Sequence, residues 1–284
     1  MTKYEISEKN TMRMQQIGLE MVKCFDLFCK KNNLKYFLCG GCCIGAIRHK
    51  GFIPWDDDVD IFMMREDFEK LKYLWKDTED YEIQYNRLDK PAYSTILTIH
   101  DKNTTYIKTG FHDRDVSQGV AMDIFPLDYA PQGIKRKIQM FWAIIFSIYS
   151  VSRAPLNHGN LIKTIGNILL GVVPSMRARY KIAKFAEKQM SKYKEKNCNY
   201  ITELCAGPHY MKNDYDKDIF DNAVYVEFED TQLPIPEGYN RYLTKAFGDY
   251  MMLPPLEKRE NHHAYEFIDL DSPYKVYKGN KYCK

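Results

Sequence analysis

The 284-residue chain lacks an uninterrupted apolar run long enough to cross a bilayer, which takes about 20 residues in a helix. Its first residues are polar and charged, without the apolar stretch of a secretory leader. Its eight cysteines are scattered, and the CxxC pair of Cys39 and Cys42 has no second pair to complete a zinc set. The net charge is only +3. These features predict a cytoplasmic protein without a disulfide framework, and no motif for nucleic acid appears.

The most informative stretch of the chain is an acidic run. Asp56, Asp57, Asp58 and Asp60 lie within five residues and are followed by the apolar run 61–64. Carboxylates this close raise one another's pKa, and a bound cation removes that cost. The apolar run predicts a strand, in which side chains two apart share a face, so Asp56, Asp58 and Asp60 are expected to point the same way. Oxygen ligands favour a hard divalent cation, Mg²⁺ first and Mn²⁺ second.

Three other interpretations of the acidic run compete with this one. A solvated acidic turn does not explain why apolar residues flank the run on both sides. An EF-hand loop fits Asp56, Asp58 and Asp60, but it requires glycine at Ile61 and glutamate at Asp67, so we reject it. A structural ion site without chemistry stays open.

A glycine pair upstream adds specificity. Gly40 and Gly41 follow a short apolar strand at 36–39 and precede a predicted short helix at 44–49. Paired glycines after a strand let the backbone approach a ligand and expose its N–H groups to phosphate. The order of strand, glycine pair, helix and Asp-x-Asp strand is similar to the nucleotidyltransferase superfamily. In that superfamily a later strand supplies a third carboxylate, for which Asp123 is the candidate.

The sequence also resembles one family within this superfamily. Residues 45–60, which read GAIRHKGFIPWDDDVD, are similar to the signature of the LicD family, to which fukutin is distantly related. The resemblance continues at 101–105, at 122–128 and near the C-terminus. It implies transfer of phosphocholine, or of a related phospho-alditol group, from a CDP-linked donor such as CDP-choline or a CDP-alditol to a glycan.

We expect Asp58, Asp60 and Asp123 to be the catalytic carboxylates and, together with Asp56, the metal ligands. Further substrate contacts are predicted from glycine, basic and aromatic residues, namely Gly40, Gly41, Arg48, His49, Lys50, Trp55, His262 and His263. Plainer roles stay open for these residues. Trp55 could serve only for packing, the basic residues could only balance the negative charge of the aspartates, and the two histidines could be surface residues without a chemical role.

The rest of the chain predicts an α/β (α+β) fold, a nucleotidyltransferase-like mixed sheet with flanking helices. We expect a catalytic core at 1–130, a basic helical insertion at 131–196 and a C-terminal part at 197–284 that completes the catalytic domain. The insertion contains thirteen basic and two acidic residues and two apolar stretches. Such helices suit peripheral contact with an anionic membrane, or a helical subdomain with a solvated basic face.

The predicted function is metal-dependent phosphotransfer to a hydroxyl of a cell-surface glycan, such as lipopolysaccharide, teichoic acid or capsule. Two alternatives stay open. One is a true nucleotidyltransferase, which leaves the nucleotide on its acceptor. The other is a non-catalytic, membrane-associated partner in glycan assembly, which would not need a charge cluster that destabilises the fold.

Overall fold

Helices and strands alternate over the first part of the chain, and four strands then follow in succession up to residue 130. The computed structural model describes residues 7–153, 160–261 and 264–284. Up to residue 130 the elements, in chain order, are α1 (Glu8–Asn32), β1 (Phe37–Leu38), α2 (Gly40–Arg48), β2 (Val59–Met64), α3 (Arg65–Leu74), β3 (Tyr81–Gln84), β4 (Leu97–Asp101), β5 (Thr105–Lys108) and β6 (Ala121–Ala130).

Three helices open the second half, and shorter elements follow them. In chain order these are α4 (Ile134–Val151), α5 (Asn160–Val172), α6 (Met176–Met190), β7 (Tyr200–Thr202), β8 (Tyr215–Asp216), β9 (Ala223–Phe228), β10 (Thr231–Pro236), α7 (Tyr239–Phe247) and β11 (Tyr265–Asp269). Within the described residues, no helix combines the length and the apolar character needed to cross a membrane.

The chain divides into two compact units. The first unit comprises the described residues of Met1–Gln84, Thr98–Ile124 and Asp218–Lys284, and the second comprises those of Tyr85–Leu97 and Phe125–Lys217. The predicted boundaries after residues 130 and 196 stay predictions.

A mixed sheet carries the first unit. Its strand order is β1-β2-β6-β4-β3. β1 is antiparallel to β2, with Phe37 opposite Phe62, and β3 is antiparallel to β4. Two further antiparallel pairs accompany the sheet: β9 and β10 form a hairpin, and β5 pairs with the distant strand β11. In the second unit, the end of β6 pairs with β7, which pairs with β8. The predicted mixed α/β fold class is confirmed.

The apolar residues of 8–32 recur with a helical period, which predicts a helix over these residues, and α1 has these bounds. The hydroxyl of Ser7 caps its start by accepting the N–H of Asn10, and Asn33 ends it in the left-handed conformation with φ 57°. Its apolar face, including Met21 and Phe25, is buried in the core of the first unit. Burial of such side chains stabilises the fold by about 1.5–3 kcal/mol each.

Three local predictions are corrected by the structure. The helix expected at 44–49 already begins at Gly40, because Cys39 is extended and serves as its N-cap. The apolar pattern around Asp123 predicts a strand at 119–125, but the strand continues through Pro126 to Ala130, where it pairs with β7. The two prolines and the glycine in 233–239 predict an extended turn, but residues 233–236 belong to strand β10. It pairs with β9 because Glu229, at φ 52°, turns the chain back.

The predicted basic segment forms helices that pack into a core of their own. Ala143, Phe146, Ala186 and Met190 from α4 and α6 are buried together in the second unit. Arg136 is buried as well. Its Nε lies 2.8 Å from Asp214 Oδ1, and its Nη2 donates to Thr202 Oγ1 at 2.8 Å. This arginine therefore stabilises the helical unit from within.

Candidate metal and phosphate site

The acidic run begins in a loop that α1 anchors. The side-chain amide of Gln15 donates to the carbonyl of Ile53 at 3.1 Å and to the carbonyl of Asp56 at 2.8 Å. The N–H of Asp56 closes the turn on the carbonyl of Ile53 at 2.9 Å. These bonds fix the backbone just before the carboxylates, so the side chains that follow start from a defined position.

Three consecutive aspartates converge in this loop. Asp56, Asp57 and Asp58 each offer an oxygen within 4.8 Å of the others. A strand over 56–60, as the sequence predicts, would point Asp57 away from Asp56 and Asp58. The structure begins β2 only at Val59, and adjacent side chains in a loop need not alternate. Asp57 is 4% exposed and belongs to the carboxylate group.

Asp60 and Asp123 extend this group from two strands of the sheet. β2 and β6 are neighbours, which brings together two carboxylates far apart in the sequence. The pKa of Asp60 is raised well above its ordinary value by burial first, and then by Asp58, Asp123 and Asp56. Within the described residues, the buried Oδ1 atom of Asp123 has no hydrogen-bond partner. An acceptor atom left this way costs free energy, which a bound cation would recover.

Lys108, at the end of β5, faces the carboxylates and was missed by the sequence analysis. Its Nζ lies 3.6 Å from Asp123 Oδ2, and its side chain is 37% exposed. Its pKa is raised chiefly by Asp123, with Asp58, Asp60 and Asp57 adding to the effect. Nothing in the sequence around this lysine predicts a role in the site, because the carboxylates that it faces belong to β2 and β6.

The glycine pair forms the first turn of α2 directly against these carboxylates. A Cβ on Gly41 would lie 2.1 Å from Asp56 Oδ2, and one on Gly40 would lie 3.4 Å from Asp60 Oδ2. Gly40 also has φ 52°, and its N–H donates to the hydroxyl of Tyr242 at 3.0 Å. The positive end of a helix thus adjoins the acidic group, and a helix N-terminus favours anions such as phosphate.

The residues present fit a divalent cation. The donor set consists of carboxylates, which are the ligands of hard cations, and one of its oxygens is buried without a hydrogen-bond partner among the described residues. The residues that would hold the ion are Asp56, Asp57, Asp58, Asp60 and Asp123.

A second, basic cluster contains Arg48, His49, Trp55 and Arg259. The guanidinium of Arg259 lies 5.6 Å from the ring centre of Trp55, and the rings of His49 and Trp55 are 6.4 Å apart. Burial, and then the charge of Arg259, lowers the pKa of Arg48. Arg48 also donates to the carbonyl of Tyr250 at 2.7 Å. Two guanidinium groups whose charges repel each other in this way offer charge-assisted hydrogen bonds to an anion.

The remaining predicted contacts are not brought into this cluster. Lys50 Nζ lies 2.9 Å from Glu227 Oε2, and both side chains are largely exposed. His262 and His263 lie outside the described residues. Arg259 was recognisable only as part of a basic pair, since its neighbours Trp55 and Arg48 lie about 200 residues earlier in the chain.

An α/β domain with carboxylates beside a glycine-rich helix N-terminus has the parts of a transferase that acts on phosphate-containing donors. Residues 33–141 match the family described as "LicD/FKTN/FKRP, nucleotidyltransferase domain". The chain therefore contains a LicD-family domain, as its motifs predicted. The matched residues include the carboxylates, Gly40, Gly41, Arg48 and Lys108.

Known proteins resemble the chain to different extents. The lipopolysaccharide cholinephosphotransferase LicD of Haemophilus influenzae is 29% identical over 273 residues, which cover 91% of this chain and 98% of that protein. An uncharacterized protein of Rickettsia prowazekii is 37% identical over 123 residues, covering 40% of this chain and 43% of its own length. An uncharacterized protein of Rickettsia typhi is 38% identical over 89 residues, covering 30% and 27%. The family match and the similarity to the Haemophilus influenzae protein confirm the prediction of a LicD-type transferase.

Proposed function

We propose that the protein transfers phosphocholine, or a related phospho-alditol group, from a CDP-linked donor to a hydroxyl of a cell-surface glycan. The observation that carries this proposal is the group of five aspartates against the first turn of α2. Similarity along nearly the whole of the Haemophilus influenzae protein favours phosphocholine as the group and lipopolysaccharide as the acceptor. Teichoic acid and capsule offer hydroxyls of the same kind.

We further propose that the reaction depends on Mg²⁺, with Mn²⁺ as a substitute, held by Asp56, Asp58, Asp60 and Asp123 with support from Asp57. When bound, the metal would neutralise pyrophosphate charge and make the acceptor hydroxyl more acidic. Two observations support this assignment. The possible ligands are carboxylates that lie close together, and the buried Oδ1 of Asp123 has no hydrogen-bond partner among the described residues.

The chain's own residues would then bind and orient the two substrates. The N-terminus of α2 and the guanidinium groups of Arg48 and Arg259 would hold the donor phosphates. Trp55 would form a wall of this part of the site. Lys108, whose Nζ lies 3.6 Å from Asp123 Oδ2, would add positive charge beside the donor phosphates.

In the transfer step, the acceptor hydroxyl oxygen bonds to the phosphorus of the phosphocholine group. The bond from that phosphorus to the bridging pyrophosphate oxygen breaks, and CMP leaves with that oxygen. The hydroxyl proton passes to a carboxylate, for which Asp123 is our candidate because its Oδ1 accepts no hydrogen bond from the described residues.

We place this reaction in the cytoplasm, at the inner face of the cell membrane, where a CDP-linked donor and a lipid-linked acceptor would meet. A nucleotidyltransferase with the same metal site would instead leave the nucleotide on the acceptor. A non-catalytic partner in glycan assembly would release no nucleotide.

Mass spectrometry of the products separates these functions. The protein is incubated with Mg²⁺, lipopolysaccharide and, in turn, CDP-choline, CDP-glycerol and CDP-ribitol. We expect CMP and an acceptor whose mass has increased by the phospho-head group, and no product in excess EDTA. Asp58→Asn should abolish turnover, whereas Asp89→Asn, at an exposed position outside the site, should not. A nucleotide on the acceptor, or turnover that survives EDTA, would contradict the proposal.

A further inference from the structure

Helix α4 in the second unit is apolar on its outer face as well as on its inner face. Ile134, Ile138, Phe141 and Ile144 are 44–69% exposed, and their spacing of four, three and three residues places them along one side of the helix. The opposite side, which includes Ala143, is buried. No charged residue occurs between 138 and 151. An exposed apolar row on a helix that already buries its other side normally has a second apolar partner.

Helix α6 presents basic residues next to this apolar face. Arg177, Lys181, Lys184 and Lys188 are exposed and recur at four, three and four residues, so they form one row. One acidic residue, Glu187, lies beside them and pairs with Lys184 at 2.6 Å. The row therefore keeps a clear excess of positive charge.

Aromatic contacts join the two faces into one surface. The ring of Trp142 lies 5.2 Å from that of Phe141 and 5.3 Å from that of Phe185 on α6. Phe185 is itself 53% exposed. The side chains named on α4 and α6, together with Phe185, form what we call the α4–α6 surface.

We propose that the α4–α6 surface docks on an anionic lipid membrane. Charge complementarity selects this occupant, because residues 131–196 contain thirteen basic and two acidic residues while the remainder of the chain is net acidic. Helices with an apolar side and a basic side lie in the headgroup region, with the apolar side chains in the acyl boundary. The proposal is independent of the reaction, since docking is measured without a donor or an acceptor.

The structure also shows which basic residues are available for this contact. Arg136 is buried and bonded to Asp214 and Thr202, so it serves the fold. Its neighbours Lys135 and Lys137 are exposed at the start of α4 and extend the basic margin of the surface.

Vesicle cosedimentation of the full chain tests the proposal. The vesicles contain phosphatidylcholine alone, or phosphatidylcholine mixed with phosphatidylglycerol. We expect binding to the mixed vesicles to be much tighter than to the neutral ones. Raising NaCl from 0.1 M to 1 M shortens the screening length from about 10 Å to about 3 Å and should weaken binding without abolishing it.

Two variants separate the charged and the apolar contributions. Replacing Arg177, Lys181 and Lys188 with glutamine should weaken binding to anionic vesicles on the order of a hundredfold, at about fivefold per charge. Ile138→Gln with Phe141→Gln should remove the binding that persists in 1 M NaCl. Matched controls carry the same changes elsewhere, at three exposed lysines (Lys9, Lys31 and Lys76) and at two exposed apolar residues (Leu27 and Tyr73).

Three results would overturn the proposal. They are equal partitioning onto both vesicle types, absence of binding to either type, and control variants that lose as much binding as the surface variants. A second copy of the chain is the competing occupant. A dimer in light scattering that Phe141→Gln converts to a monomer, combined with absence of vesicle binding, would assign the surface to that contact instead. Thermal unfolding of each variant verifies that it is folded.

Discussion

Replacing Gly41 with alanine tests whether the first turn of α2 and the acidic loop form one site. The new Cβ would lie 2.1 Å from Asp56 Oδ2 and 3.2 Å from Asp56 Cγ. Since carbon and oxygen atoms in contact stay about 3.3 Å or more apart, the carboxylate must move by about 1 Å. The backbone of Asp56 cannot follow easily, because Gln15 and Ile53 bind it.

The expected loss is one of function rather than of folding. A displacement of about 1 Å in a catalytic group can cost about a hundredfold in rate. Metal affinity should fall about tenfold to a hundredfold, as it does when a group that orients a ligand is changed. The free energy of unfolding should stay within about 1 kcal/mol of the wild type, because alanine favours a helix and offsets part of the strain.

The assay combines calorimetric titration with Mn²⁺, turnover of CDP-choline and thermal unfolding. Gly171→Ala is the matched control, since it lies in α5 and its Cβ would meet nothing within 4 Å. The double variant with Asp56→Ala provides a mutant cycle. The reasoning is refuted if Gly41→Ala binds metal like the wild type, or if its effect is undiminished when Asp56 is already alanine.

Three further predictions concern buried or partly buried charges. Asp60→Asn should raise the free energy of unfolding of the metal-free protein by about 1–2 kcal/mol, because it removes a buried carboxylate that neighbouring carboxylates repel. It should also abolish turnover. A lower melting temperature would contradict this prediction. Lys108→Gln should lower the free energy of unfolding by at most about 1 kcal/mol, because solvent partly screens the ion pair with Asp123. It should raise the KM for the donor, and an unchanged KM would exclude contact between Lys108 and the donor phosphates. Burial raises the pKa of Glu203 from 4.5 to about 7. The folded protein therefore retains this proton at higher pH than the unfolded chain, so stability should fall by up to about 3 kcal/mol between pH 4.5 and 7. Glu203→Gln should flatten that slope in denaturant titrations, and an unaltered slope would contradict the assignment.

The sequence by itself determined the elements whose cause is local. The apolar period of 8–32 and its capping residues define α1, and the motif at 45–60 identifies the family. The excess of basic residues at 131–196 is equally a property of the sequence. Periodicity, capping and composition act within a few residues, so they are visible without a fold.

The tertiary structure decided which side chains share the site. Lys108 faces the carboxylates because β5, β2 and β6 approach one another, and Arg259 lies over Trp55 because the C-terminal part folds back. Lys50 is directed to Glu227, and Arg136 is drawn into the core. Each of these outcomes depends on partners far away in the sequence. Coulomb and hydrogen-bond energies depend on distance in space, and that distance exists only once the chain has folded.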